Sequence, residues 1–439
     1  MQSRTKHLLC SPGPIAWWAF ATRMVLLCGA WIIGPHAIRS LLPYGYELGQ
    51  VARSIALGQG FSSPLRTVHT GPTIWFTPIY PYFVAGIFKI FGIFTDTSHF
   101  VIQTFNCAFA ALTVIPIYKI SRKTFSEGVA VTAAWVWVFL PTALFFPITW
   151  IWDTSLTALF FALLFWLTLE MRGAQSISAW AGYGALWGIG VMINPSVLSV
   201  FPFLLAWLLW EARKEAAPWG KFAVSTLLVF TVAMVPWTIR NYRVFGKFIV
   251  LRSNFGLELW LGNNPNVPQT WSPWMHPNDD PQEGEKYKRM GELAYMAEKQ
   301  KEAFAFMRTH PKDTANFIFR RFIDNWLAVT DSPVDTWSSA PLYLKAFMAE
   351  NILFALATML GGLFAYHERR PNALPFVIVL LIFPLVFYLT HTSLRYRFPM
   401  DPMMIVLAVH GVAYPISHFR RRFGRQTDAV TPAASIPTP

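Results

Sequence analysis

The stretch "WFTPIYPYFVAGIFKIFGIF", Trp75 to Phe94, decides how this chain is threaded. It is apolar enough to enter a bilayer, yet it carries Pro78, Pro81 and Lys89, which interrupt a spanning helix. Apolar runs also fall near residues 15–37, 100–120, 127–147, 150–169, 179–193, 196–210, 221–238, 346–365, 373–392 and 400–418. Several are long enough for a hydrocarbon core of about 30 Å. Between them lie basic clusters at Arg4 and Lys6, Arg122 and Lys123, Arg172, Arg213 with Lys214 and Lys221, Arg369 and Arg370, and Arg420 to Arg422. The positive-inside rule assigns all of these to the cytoplasm. If both 76–94 and 100–120 crossed, Arg4 and Lys123 would face opposite sides. Residues 76–94 are therefore expected to lie in the interface as a broken helix, leaving about ten crossings and making 43–99 one outer loop.

Composition agrees with that class. The 439 residues are 54% hydrophobic and 13% charged, against about 25% charged in a soluble domain. An all-α polytopic membrane protein follows. The net charge of +13 sits in helix-orienting clusters and forms no basic face interleaved with aromatics, which argues against a nucleic-acid partner. Cys10, Cys28 and Cys107 lie in or beside apolar segments and offer neither a disulfide framework nor zinc spacing. The "LLC" near the start resembles a lipoprotein cleavage site, but too few residues precede it. An uncleaved first transmembrane helix is expected instead.

Four regions are expected: an N-terminal transmembrane catalytic module (1–238), an outer loop subdomain (239–345), C-terminal transmembrane helices (346–418), and a disordered cytoplasmic tail (419–439). Within the outer subdomain, "EGEKYKRMGELAYMAEKQKEAFAFMRTHP" spaces Tyr287, Met290, Leu293 and Ala297 at helical intervals. That spacing predicts one amphipathic helix stopping at Pro311, with a second around "TANFIFRRFIDNWLAV".

Charges that persist beside a bilayer are costly and therefore functional candidates. Glu47 is the only carboxylate between Met1 and Asp96, and Asp153 the only one between Glu127 and Glu170. The topology puts both on the outer side. Spacing alone also allows Asp153 to cap the following helix and Glu47 to sit in a helix first turn. Outer-face arginines are the second anomaly: Arg395 and Arg397 in "RYRFP", and Arg240 and Arg243 in "PWTIRNYRVFGKF". Guanidinium groups suit bidentate phosphate binding, with lipid headgroups or the loop's own carboxylates as alternative partners. Two acids beside arginines at one interface suggest chemistry on a phosphate-bearing lipid.

These residues also carry a family resemblance. "YELGQVARSIALGQGFSSP" followed by "TGPTIWFTPIYPYFVAGIFKIFG" resembles the first outer loop of the GT-C glycosyltransferases in the protein O-mannosyltransferase and aminoarabinose transferase superfamily, including bacterial members of glycosyltransferase family 39. "PWTIRNYRVFGKFIVLRSNFGLELWLGNNP" and "RYRFPMDPMMIVLA" resemble later pieces in the same order. The resemblance spans roughly residues 15–418. It implies a multi-pass plasma (inner) membrane enzyme that moves a hexosyl or pentosyl group, with inversion, from a polyprenyl phosphate donor to a lipid, glycan or protein acceptor on the outer face.

By the same resemblance Glu47 stands at the first-loop acidic position, often Asp in the family, and Asp153 at that of the second loop. Glu47 would accept the acceptor's proton. Asp153 would orient the acceptor or bind a divalent metal, with His69 a candidate ligand and Tyr80 a candidate substrate contact. Arg395 and Arg397 would hold the departing phosphate, with Arg240 and Arg243 as second choice. No cofactor is certain. A transporter or flippase of a lipid-linked or anionic substrate would use the same charges, and a catalytically silent partner subunit would use none of them.

Overall fold

The computed structural model describes residues 9–34, 46–66, 69–267, 275–327 and 342–428. The basic pair Arg4 and Lys6, the start of the first loop at residues 43–45 and residues 429–439 of the expected tail lie outside these, whereas residues 419–428 of that tail, expected to be disordered, continue the last helix. The regular structure of the described residues is helical apart from one bridge between Ser62 and Pro72. In order the helices are α1 (Pro12–Ile33), α2 (Tyr46–Ala56), α3 (Ile79–Phe91), α4 (Asp96–Leu112), α5 (Val114–Thr124), α6 (Glu127–Phe139), α7 (Pro141–Thr149), α8 (Thr154–Glu170), α9 (Ile177–Ile193), α10 (Phe201–Lys214) and α11 (Trp219–Phe245). There follow α12 (Phe255–Gly262), α13 (Pro281–Met290), α14 (Glu292–Thr309), α15 (Pro311–Leu327), α16 (Leu342–His367), α17 (Ala373–Ile382), α18 (Leu385–Leu389), α19 (Leu394–Arg397) and α20 (Asp401–Asp428).

Among the described residues, 5 helices are long and apolar enough to cross a membrane: Pro12–Ile33, Asp96–Thr124, Trp219–Phe245, Lys345–His367 and Leu394–Phe419. Counting α6 and α7, bent by 45° at their junction, as one broken span makes 6. The chain is a multi-pass membrane protein. Ten crossings, the number expected from the sequence, would need shorter apolar helices as well, such as α8 and α9. Helix α3, 13 residues long, reaches only about 20 Å and is too short for a perpendicular crossing. It begins after Pro78 and ends at Gly92, whose φ of 92° few other residues adopt.

Small residues let the long helices approach closely, as membrane interfaces require. A Cβ on Gly361 of α16 would lie 1.8 Å from the Leu407 carbonyl oxygen of α20, and one on Gly411 would lie 2.3 Å from that of Ala357. Gly184 of α9 meets the Thr226 carbonyl of α11 in the same way.

The expected single amphipathic helix in the large loop is two. Gly291, with φ +77°, separates α13 from α14. Asp280 caps α13 by accepting from the Gln282 amide at 2.8 Å, with Pro281 in its first turn. The break puts buried Glu292 at a junction. Its carboxylate accepts from the Ile74 amide at 2.9 Å, from the Tyr287 hydroxyl at 2.7 Å, and from the hydroxyls of Thr73 and Ser253. One carboxylate thereby ties the first loop to the layer formed by α12, α13 and α14.

Candidate active site

Glu47 sits in the first turn of α2, after Tyr46 at φ +50°. The amphipathic helix turns Glu47, Leu48, Val51 and Ala52 inward, so the carboxylate is only 5% exposed. Its Oε1 lies 3.1 Å from Nε2 of His276. Burial is the main influence on this carboxyl and pushes it up to about 8; Glu258 adds to the rise, while Arg395 and Arg66 oppose it. Burial likewise pushes His276 down to about 3, helped by His391 and Arg66. Burial thus favours the neutral imidazole.

Asp153 occupies the N-cap position of α8, but its carboxylate makes no cap hydrogen bond. The backbone carbonyl begins the helix by accepting from the Thr157 amide at 2.7 Å. The side chain turns away and accepts from Nδ2 of Asn194, at the C-cap of α9, at 2.9 Å. The carboxylate therefore does not cap the helix and is engaged by Asn194 instead.

Arg395 is the charge that both carboxylates feel. Its guanidinium carbon stands 4.6 Å from the Trp150 ring centre, 4.4 Å from Trp152 and 4.9 Å from Tyr396, an aromatic cage around one cation. Nη2 donates to the Tyr396 hydroxyl at 3.0 Å, and that hydroxyl lies 2.8 Å from Nε2 of His391. On its other side His391 Nδ1 is 3.3 Å from Oε2 of Glu258. Tyr80, buried in α3, donates to Asn106 Oδ1 at 2.9 Å, and Asn106 Nδ2 donates to the Trp150 carbonyl at 3.1 Å. Tyr80 therefore supports the cage through Asn106, with its hydroxyl already engaged.

The other arginines are placed differently. Arg397 is buried, and its guanidinium donates to Asp401 at 3.0 Å, Asn351 at 2.7 Å and the Trp326 carbonyl at 3.1 Å. Arg240 donates to the carbonyls of Thr73 and Phe61, both at 2.8 Å, and clamps the first loop. Arg243 and His69 are exposed. Among the described residues no group of three or more His, Cys, Asp and Glu side chains could hold a metal ion.

Sequence reasoning passed over His276, Glu258, His391 and Tyr396. Glu258 lies inside the quoted "FGLELWLG" run, and His391 and Tyr396 flank Arg395 in "HTSLRYR". Proximity to the arginine was the available signal. His276, in "WMHPNDD", had none, because its partner is far away in the chain.

Similarity to known proteins falls on the same region. The family model described as dolichyl-phosphate-mannose-protein mannosyltransferase matches residues 75–237, which include Asp153. The oligosaccharyltransferase AglB of the archaeon Archaeoglobus fulgidus, solved with an inhibitory peptide and a dolichol-phosphate, shares the fold at a TM-score of 0.53 and 14% identity. That match covers 96% of this chain and 53% of AglB, so the chain spans about half the length of its structural relative. An oligosaccharyltransferase of Archaeoglobus fulgidus in complex with Zn and sulfate matches at a TM-score of 0.50 and 14% identity, over 86% of this chain and 45% of the other. ArnT of Cupriavidus metallidurans bound to undecaprenyl phosphate is 12% identical over 89% of this chain and 77% of its own, and its TM-score of 0.36 is too low to build on. No curated protein matches the chain. The fold is of the GT-C type, and the resemblance read from the sequence motifs holds.

Proposed function

We propose that this chain is an inverting glycosyltransferase that takes a sugar from a polyprenyl phosphate donor and places it on an acceptor hydroxyl at the outer face of the plasma membrane. The observation that carries the reading is one caged guanidinium, Arg395, acting on two buried carboxylates, Glu47 and Asp153. The match of residues 75–237 to a family named for a dolichyl-phosphate-mannose donor supports it.

In the proposed reaction the acceptor oxygen attacks the anomeric carbon while Glu47 takes its proton, a contribution on the order of 10² to 10⁴ in rate. The bond from that carbon to the phosphate oxygen breaks on the opposite face, which inverts the centre. The electron pair leaves with the polyprenyl phosphate, and Arg395 neutralises the growing charge. Asp153, steadied by Asn194, accepts a hydrogen bond from the acceptor or the sugar. Arg397 and Arg240 hold the scaffold in this reading, since protein acceptors already occupy their guanidinium groups.

The test is transfer of radiolabelled sugar from a polyprenyl phosphate donor by the purified chain in lipid nanodiscs. Glu47→Gln is expected to abolish transfer while donor binding persists. Unimpaired transfer by that variant would overturn the assignment.

A further inference from the structure

We propose that His276, from the large loop, is a positioning residue that holds Glu47 ready to take a proton. The proposal rests on the reading that Glu47 is the base.

The hydrogen bond at Nδ1 decides which ring nitrogen carries the proton. Nδ1 of His276 accepts the backbone N–H of Asn278 at 3.2 Å. A nitrogen that accepts carries no proton, so the proton of the neutral ring sits on Nε2. That atom faces Glu47 Oε1 at 3.1 Å. His276 therefore donates to Glu47 and cannot itself remove a proton from the acceptor. An N–H aimed at the carboxylate favours its charged form, against the burial that disfavours it. It also restricts the side chain's rotation, leaving the second oxygen to meet the acceptor.

The ring is held on several sides. Its centre lies 5.8 Å from that of Tyr46 and 5.7 Å from that of Trp75. Residues 278 and 279 are pinned to the first loop as well. Asn278 Oδ1 accepts from the Arg66 amide at 2.8 Å, and Asp279 pairs with the Arg66 guanidinium at 2.8 Å. The guanidinium of Arg66 in turn covers the Tyr46 ring at 4.6 Å. Two segments more than 200 residues apart in sequence (|i−j| = 213 for Arg66 and Asp279) thus assemble one base. The charged and titratable groups facing Glu47 are His276, Glu258 of α12, Arg66 of the first loop and Arg395 of α19, with His391 acting on His276.

The experiment compares His276→Phe and His276→Gln with the unaltered chain. Phenylalanine keeps the ring packing without a donor, and glutamine restores an N–H near the Nε2 position. The expected result for His276→Phe is turnover lower on the order of tenfold, an acid limb moved up by about one pH unit, and a donor KM within about twofold. His276→Gln recovers most of the loss. Equal loss in both variants without a moved limb, or no loss in either, would overturn the proposal.

A second readout does not need catalysis. The infrared carbonyl band of protonated Glu47, identified by its disappearance in Glu47→Gln, is titrated in the unaltered chain and in His276→Gln and His276→Phe. The band is expected to persist to higher pH in the phenylalanine variant alone; identical titrations in all three would reject the contact. Full transfer activity in Glu47→Gln would instead reject the base assignment, whatever the band does.

Discussion

Arg23, in the middle of α1, donates from Nη2 to the carbonyl oxygen of Trp137 at 3.1 Å. In a continuous helix that carbonyl would receive the amide of residue 141, which is a proline and has none. Nε of the same guanidinium donates to the Ala143 carbonyl at 3.0 Å, whose helical partner would be Pro147. One arginine thus closes both gaps that prolines open around the bend between α6 and α7. This accounts for a fully buried charge in a membrane helix without giving it a role in the reaction.

Replacing Arg23 with Leu leaves both carbonyls without a donor in an apolar interior. The expected loss is about 2–5 kcal/mol, read as a lower melting temperature in detergent and a smaller folded yield. Arg23→Lys keeps the charge but loses the fork that reaches two carbonyls, so its melting point should fall between the two. A leucine variant as stable as the original would refute the role.

Asp153→Asn separates chemistry from helix capping. A capping aspartate contributes about 1 kcal/mol through its side chain, but here the side chain makes no such bond. The melting temperature is therefore expected to change little. Transfer should fall by roughly 10- to 100-fold, the scale of a lost hydrogen bond to a charged acceptor. A marked loss of stability with transfer preserved would return this residue to a structural role.

Arg395 should tolerate lysine poorly. The guanidinium reaches the Trp150 and Trp152 rings and the Tyr396 hydroxyl at once, and a compact ammonium without the planar fork keeps fewer of these contacts. Equilibrium binding of a polyprenyl phosphate is expected to weaken about tenfold in Arg395→Lys and further in Arg395→Ala, on the scale of a desolvated cation–π and charge-assisted contact. Arg397→Ala should instead lower stability, because Asp401 would be left buried without its cation. Equal loss of lipid binding in both alanine variants, with stability intact, would reassign the phosphate site.

How far the sequence could be read follows from the range of each signal. Glu47, Asp153 and Arg395 stood out because a single charge amid apolar residues has a local cost. The choice between Arg395 and Arg397 was not local. Two residues apart on a short helix, they point into different surroundings, and only the burial of Arg397 beside Asp401 tells them apart. The split at Gly291 was missed because the apolar period continues across it while the backbone does not. His276 was illegible for the same reason at longer range: a polar turn says nothing about which carboxylate it will meet.

The pH response of Glu47 gives the sharpest joint test of site and fold. Its carboxyl is pushed from an ordinary value near 4.5 up to about 8, chiefly by burial. A base must be ionised, so transfer should rise about tenfold per pH unit below 8 and level off above it. Stability runs the other way. Between pH 4.5 and 8 the folded chain holds a proton there that the unfolded chain has lost, so this group's contribution is complete below 4.5 and is lost as pH rises through 8. Glu47→Gln removes both dependences. It should be inactive at every pH, yet at pH 8 and above melt at a higher temperature than the active protein. Melting curves across pH 5 to 9 read beside transfer rates check both halves, and a glutamine variant no more stable than the original at pH 9 would show that burial of this carboxylate carries no cost.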